Sequence, residues 1–269
     1  MGIRISKRIR RLVTSLLVIS TIFASAYLLG WSSLLSVSQV SVSGSSAVNP
    51  VLSELSQNIT NDIIRLIQQN VGKPERYRSF DLEYKDPIYF DLKVNIKITD
   101  TLHPTKDLYF KTVPSEVLKF EKFGFAIDGD SFGGDNEDGA EIEISVAVDQ
   151  TQINSPKLKA RILDVARHEV EHILQRGPNF SPDHKVKIPR PITRELAKSN
   201  YRYFILSDEI PAQVSGLAEE AQLSGQTVRA CAIEYLTPFL ELGFITQEQI
   251  EIVLTTWQAW ASQHNIKFE

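Results

Sequence analysis

Residues 155–178 read SPKLKARILDVARHEVEHILQRGP, and this segment decides how the middle of the chain folds. Ser155 is a residue type that caps helix N-termini, and Pro156 suits the first helical position. The pattern repeats at helical spacing through Leu158, Ile162, Val165, Glu169 and Ile173. Gly177 suits the position after a helix end, and Pro178 blocks continuation. The segment therefore predicts one capped helix that ends before Gly177.

The C-terminal half of this helix contains His168, Glu169 and His172 in the spacing H-E-x-x-H. Residues four apart lie on the same face of a helix, so both imidazoles can reach one metal ion. Glu169 lies one position further round, where it can accept a proton from a water at the metal. The spacing predicts a site for one Zn²⁺ ion, with His168 and His172 as ligands and Glu169 as the catalytic base.

A catalytic zinc site usually has three protein ligands and one open position, so a third ligand is needed. In the metzincin extension of this motif the third ligand is a histidine at position 178, with glycine at 175. The chain has Gln175 and Pro178 at these positions, which excludes that subclass.

The third ligand is instead expected from an acidic residue further along the chain. A second helix is predicted from Asp208 to Leu223, with Ser207 as its N-cap and Glu209 in its first turn. Glu209 is the leading candidate. Asp208 is its closest rival, which would give an aspzincin-like site, and His184 is a weaker alternative.

At these residues the chain resembles the gluzincins, the thermolysin-like zinc peptidases, including small bacterial and phage-borne proteins. The resemblance spans about residues 140–222 and rests on the H-E-x-x-H stretch plus the E-x-x-A stretch 209–212. It implies a zincin-like fold, Glu209 as the third ligand, and a preceding strand whose free edge holds the substrate backbone. Glu171 departs from the family pattern, where this position is usually small or apolar. Its charge is therefore expected to face solvent or to have a partner.

Three further residues are candidates for supporting roles around the metal. Asp164 lies four residues before His168 and could accept a hydrogen bond from that imidazole on the side away from the metal. Tyr201 and Tyr203 precede the second helix, and either hydroxyl could donate to the oxyanion of the reaction.

Two segments alternate polar and apolar residues as half-buried strands do, namely 90–99 and 141–148. Shorter strand-like runs occur at 108–112 and 117–127. The acidic, glycine-rich segment 128–139 fails the calcium-loop pattern of EF-hands and predicts a flexible turn between strands.

The rest of the chain is mainly helical in pattern. Helices are predicted at 51–71, 192–205, 227–240 and 246–262, the last with a Thr246–Gln249 capping box. Cys231 lies in an apolar helical run and is expected in the core. These elements predict an α+β, zincin-like architecture in which a mixed β-sheet is followed by a helical half, with the metal site between them.

The N-terminal region predicts a membrane anchor. Residues 1–11 carry five cations, and 12–35 contain no charged residue, which is the length of one transmembrane helix. The basic flank predicts a cytoplasmic N-terminus and a catalytic domain on the outer side of the membrane. An uncleaved signal-anchor is favoured, whereas cleavage near Ala26 would give a secreted protein.

A serine-rich linker is predicted at 36–50, followed by one metallopeptidase domain at 51–269. The formal net charge is −4, and the domain is more acidic still because the anchor holds five cations, which argues against nucleic acid as a partner. The sequence thus predicts a membrane-tethered zinc peptidase acting on peptides or proteins. The alternative is a catalytically inactive, membrane-anchored binding or structural protein with the same fold.

Overall fold

The computed structural model describes residues 50–72, 77–86, 90–100, 114–133, 140–176 and 201–269, which all belong to one compact unit. The predicted anchor 12–35, the cleavage position near Ala26 and the linker up to residue 49 lie outside the described residues. Within the described ranges, none of the helices has the length and apolar character needed to cross a membrane.

The described chain forms a mixed four-stranded sheet and six α-helices, which agrees with the predicted α+β class. The strands are β1 (Tyr77–Asp86), β2 (Phe90–Thr99), β3 (Phe125–Gly133) and β4 (Ala140–Val148). Their order in the sheet is β1-β2-β4-β3. Only the β2–β4 pair is parallel, and the two outer pairs are antiparallel.

The helices lie partly between the strands and partly after them. They are α1 (Pro50–Asn70), α2 (Pro114–Phe123), α3 (Pro156–Arg176), α4 (Glu209–Ser224), α5 (Val228–Glu241) and α6 (Gln247–Gln263). Short 3₁₀ turns occur at Gln150–Gln152 and Tyr201–Ile205. The predicted helix at 192–205 is described only from Tyr201, where it is this turn.

The main hydrophobic core lies between the inner face of the sheet and helices α1 and α3. The central strands align their apolar residues, with Val94 opposite Ile142 and Ile96 opposite Ile144, all buried. Helix α3 adds Leu158, Ile162, Ala166, Val170 and Ile173 to this core, and α1 adds Leu52, Ile59, Ile63 and Ile67. The alternation of the strands and the helical spacing of α1 and α3 therefore have the same cause, which is burial on one face.

A second hydrophobic core joins the 3₁₀ turn at Tyr201–Ile205 to helices α4, α5 and α6. Phe204 and Trp257 are fully buried there, and the Trp257 indole donates to the Phe204 carbonyl at 2.6 Å. Cys231 is buried in the same cluster, as predicted. The predicted capping box of α6 is present, with Thr246 and Gln249 bonding each other's backbone amides. This core holds the start of α4 in place.

Three of the predicted element boundaries are wrong. Only the last three residues of the run 117–127 lie in a strand, because Pro114 starts α2, and Gly124, with φ 73°, ends it before β3 begins at Phe125. The predicted turn at 128–139 starts too early, because β3 pairs with β4 as far as Gly133. Asp208, rather than Ser207, is the residue preceding α4, and its side chain makes no capping bond to the described chain.

The position of the strand before helix α3 also differs from expectation. That strand is β4, which pairs with β2 on one side and β3 on the other, so it has no free edge. On this side of the sheet the outermost of the described strands is β3. Strand β1, at the opposite edge, was not predicted, although Phe80, Leu82 and Tyr84 alternate along it and pack on the core.

Candidate metal site

Helix α3 places His168 and His172 side by side, as the sequence predicts. Their Nε2 atoms are 3.0 Å apart, and the two rings meet edge to face with centroids 4.6 Å apart. His172 is buried and His168 is half-buried. Both rings therefore direct a nitrogen toward one point on the side of α3 that faces α4.

Glu209, in the first turn of α4, provides the third group at this point. Its Oε2 lies 3.6 Å from His168 Nε2, and its Oε1 lies 3.6 Å from His172 Nε2. One ligand atom from each of the three residues falls within 4.8 Å of the others. The convergence of His168, His172 and Glu209 agrees with the predicted ligand set.

Asp208, the closest rival ligand, is not part of this group. Asp208 lies next to Glu209, but among the described residues only Glu209 joins the two histidines in a cluster that could hold a metal. His184 and His103 lie outside the described residues. His264 stacks on Trp260 with centroids 3.9 Å apart and is partly buried, as expected for an ordinary packed histidine.

Helices α3 and α4 pack closely enough to bring their functional residues together because α4 has glycine at the crossing. A Cβ atom added to Gly216 would lie only 2.5 Å from the backbone oxygen of Asp164. Arg161 also holds the two helices together, with ion pairs of 2.7 Å to Asp164 and 3.1 Å to Glu220. The contact fixes the distance between the helix axes, and the side chain of Asp164 faces Arg161. Its predicted role toward His168 stays a prediction.

The side chain of Glu169 extends from α3 toward strand β3. It is buried, and a Cβ added to Gly129 would lie 2.6 Å from its Oε1 and 2.7 Å from its Cγ. Only glycine leaves room for the carboxylate at this position of the strand. Sequence analysis assigned Gly129 to a turn and missed this contact.

The Tyr203 hydroxyl interacts with the carboxylate of Glu209 and helps to lower the pKa of that carboxyl. Burial first, and then the charge of Glu209, raise the pKa of the Tyr203 hydroxyl well above its ordinary value. The predicted role of Tyr203 as an oxyanion donor stays a prediction. Tyr201 packs against the second hydrophobic core, and its predicted role also stays a prediction.

The three ligand candidates form a strongly coupled charge cluster when no metal is bound. Burial alone would lower the pKa of His172, but hydrogen bonding and attraction by Glu209 raise it to about 9. Burial alone would raise the pKa of Glu209, but His172, the charge of His168 and the Tyr203 hydroxyl lower it to about 2. At neutral pH the cluster thus holds an imidazolium beside a carboxylate, and a divalent cation can take the place of the proton.

Gln175 is a residue of the site whose structural role sequence analysis missed. Its Oε1 lies 3.1 Å from His172 Nδ1, and its Nε2 donates to the Asp208 carbonyl at 2.9 Å. It lies three residues after His172, on the same face of α3, and this spacing could have predicted the contact.

Glu171, which departs from the family pattern, is fully buried rather than exposed. It forms a 2.7 Å ion pair with Arg167, whose side chain is also fully buried. The expectation that Glu171 must face solvent or have a partner is therefore met by a partner, one turn earlier on the same helix.

The donor set fits a zinc ion. Ligands at 2.0–2.1 Å from a tetrahedral zinc lie about 3.3 Å from each other, close to the separations between the nitrogen and oxygen atoms here. Glu209 Oε2 is buried and accepts no hydrogen bond from the described residues, so it has an unused position for a cation. Two imidazoles and one carboxylate are also a donor set found in catalytic zinc sites.

The chain matches no protein-family model, no curated protein and no solved structure. The resemblance to gluzincins therefore rests on residues of α3 and α4 alone. The function has to be argued from the chemistry of these residues.

Proposed function

We propose that the chain is a zinc-dependent peptidase of the gluzincin type, with a zincin-like fold. The observation that carries the proposal is the convergence of His168, His172 and Glu209 from two helices, with Glu169 adjacent on α3. A structural zinc site is usually closed by four protein ligands, whereas three ligands leave a position for water and substrate. A nearby carboxylate that is not a ligand is what hydrolysis requires in addition.

In this proposal His168, His172 and Glu209 hold the zinc ion, which would supply a Lewis acid that polarises the scissile carbonyl and acidifies water. Glu169 accepts the proton of the attacking water as the new carbon–oxygen bond forms. It then delivers that proton to the leaving amine as the carbon–nitrogen bond breaks. The contact with Gly129 keeps its carboxylate on the side of α3 next to β3.

The edge of β3 is the proposed place for the substrate backbone. Strand β3 is the outermost described strand on this side of the sheet, and extended peptides bind to the outer strands of sheets by adding a strand. Gly129 lies in this strand and contacts Glu169, so a peptide along β3 would pass next to the base. This supports peptides in extended conformation as substrates.

The proposed location is the outer face of a membrane, with residues 12–35 as an uncleaved anchor. The uncharged segment and the cations before it support this assignment. Extraction of native membranes at alkaline pH tests it. The full-length chain should stay with the membrane pellet, whereas a chain cleaved near Ala26 would be found in the soluble fraction.

Cleavage of a peptide library, before and after metal removal, tests the proposed function. The purified protein should contain about one zinc ion per chain, the number expected for three converging ligands. Removal of the metal should abolish cleavage, and added zinc should restore it. Stoichiometric zinc without cleavage of any peptide would instead support a metal-binding, catalytically inactive protein, and absence of zinc would contradict the proposal.

A further inference from the structure

We propose that Gln175 is a positioning residue of the site, which holds the Nδ1 side of the His172 ring by a hydrogen bond and ties α3 to the start of α4. The inference rests on the proposed function, because it assigns Gln175 a role at the proposed zinc site. The residue is half-buried and bonds to both helices that supply the ligands.

The orientation of the Gln175 amide follows from its partner on α4. The Asp208 carbonyl is only an acceptor, so the group that faces it at 2.9 Å must be the NH₂ of the amide. The amide oxygen must then face His172 Nδ1, at 3.1 Å. The backbone of one helix thus determines which end of the glutamine the histidine meets.

The protonation pattern of His172 follows from this orientation. An amide oxygen is only an acceptor, so Nδ1 must carry a proton to form the bond. In the neutral ring Nε2 is then the unprotonated nitrogen, and Nε2 is the atom that faces His168 and Glu209. Metal-binding histidines are commonly held in this way by a partner at the other ring nitrogen.

The second bond of Gln175 acts on the third ligand. Asp208 immediately precedes Glu209, so a bond to its carbonyl limits movement of the first turn of α4. One side chain therefore restrains His172 and the backbone next to Glu209 together. Loss of Gln175 should increase the freedom of both ligands without removing either of them.

Two variants separate the two bonds. Gln175→Met has similar length but can form neither bond. Gln175→Glu keeps an acceptor for His172 Nδ1 but loses the donor to the Asp208 carbonyl. Gln222→Met, at an exposed position of α4, is a matched control for the exchange of side chains.

Nitrogen-detected NMR of the full-length protein, with and without zinc, measures the proton on His172 Nδ1. In the wild type and in Gln175→Glu this proton should be shifted downfield and slow to exchange, and in Gln175→Met it should move upfield and exchange rapidly with water. Amide hydrogen exchange at the start of α4 should be faster in both variants. The zinc affinity of Gln175→Met should fall about 10- to 100-fold, as for other outer partners of metal ligands.

The inference is overturned if Gln175→Met keeps both the downfield, slowly exchanging Nδ1 proton and the zinc affinity of the wild type. That result leaves the proposed zinc site intact, provided that the wild type binds zinc. If the wild type binds no zinc, the proposed function fails, and the proton signal alone then supports or overturns the contact between Gln175 and His172.

Discussion

His172 Nε2 and Glu209 Oε1 lie 3.6 Å apart although they belong to different helices, and His168 completes the group from one turn earlier. The spacing of the two histidines is a property of one helix. The position of Glu209 depends on how α4 packs on α3. Glu209 is therefore the ligand of the proposed zinc site whose position depends most on tertiary packing.

Replacement of Glu209 by glutamine should lower zinc affinity by more than about 100-fold, beyond the usual effect of losing an outer partner. The physical reason is the loss of a charged oxygen ligand from a set of three. Asp208→Asn, at the neighbouring rival position, is the matched control and should keep near-normal affinity. Competition with a chromophoric chelator measures both variants. The reverse ranking would make Asp208 the ligand.

Zinc binding at pH 7 should release about one proton, because the cation displaces the proton that His172 holds in the metal-free cluster. The pKa of His172 is raised from 6.5 to about 9 by Glu209, so apparent affinity should increase as pH rises from 7 toward 9 and then level off. Calorimetry in buffers with different ionisation enthalpies measures the released proton. Binding heats that do not depend on the buffer would contradict this prediction.

The same shift has a consequence for the stability of the metal-free protein. The folded-state pKa of His172 lies above its unfolded value and that of Glu209 lies below its own, so the pair stabilises the fold fully between about pH 4.5 and 6.5, and its contribution is lost as pH rises through about 9. Bound zinc should prevent this loss of stability at high pH, because the cation takes the place of the His172 proton beside Glu209.

Replacement of Gly129 by alanine should reduce peptide cleavage while zinc stays bound. The added Cβ would lie 2.6 Å from Glu169 Oε1, so the carboxylate must move away from its position beside β3. The loss should be about 10²-fold or more, the lower end of what a general base contributes. Ser131→Ala, two residues along the same strand, is the control and should remain active. Full activity of Gly129→Ala would show that the contact has no catalytic role.

Replacement of Glu171 alone by alanine should destabilise the fold by about 3–5 kcal/mol, because Arg167 would remain as a buried charge without its partner. Both side chains are fully buried and 2.7 Å apart. Replacing both by methionine should recover most of this loss, since no buried charge then remains. Urea unfolding of the three proteins measures the differences. Equal loss in the single and double variants would argue against the pair as the cause.

Local sequence patterns predicted those strands and helices that bury one face in the core. Strands β2 and β4 alternate because one side of each is buried, and α3 shows its start at Ser155 and Pro156. Strand β3 was missed because Asp128, Gly129 and Asp130 have low strand propensity. Its pairing with β4 overrides that propensity, and no local pattern reports such pairing.

The residues of the candidate site also fall into two groups, those that the sequence could predict and those whose position depends on tertiary packing. His168, Glu169 and His172 could be predicted because their geometry lies within one helix. Glu209 could only be ranked above Asp208, since the choice depends on the close approach of Gly216 to Asp164. The partner of Glu171 lies four residues earlier, at a spacing that favours ion pairs on helices, but the burial of both charges depends on the packing of α3.

Replacement of Glu169 by glutamine, with zinc content and peptide cleavage measured on the same samples, tests the central claim most directly. Glutamine has nearly the same shape as glutamate but cannot accept the proton of the attacking water. The account predicts that Glu169→Gln keeps one zinc per chain and that kcat falls by about 10²- to 10⁴-fold, the usual contribution of a general base. A Glu169→Gln protein that binds zinc and cleaves peptides at the wild-type rate would contradict it.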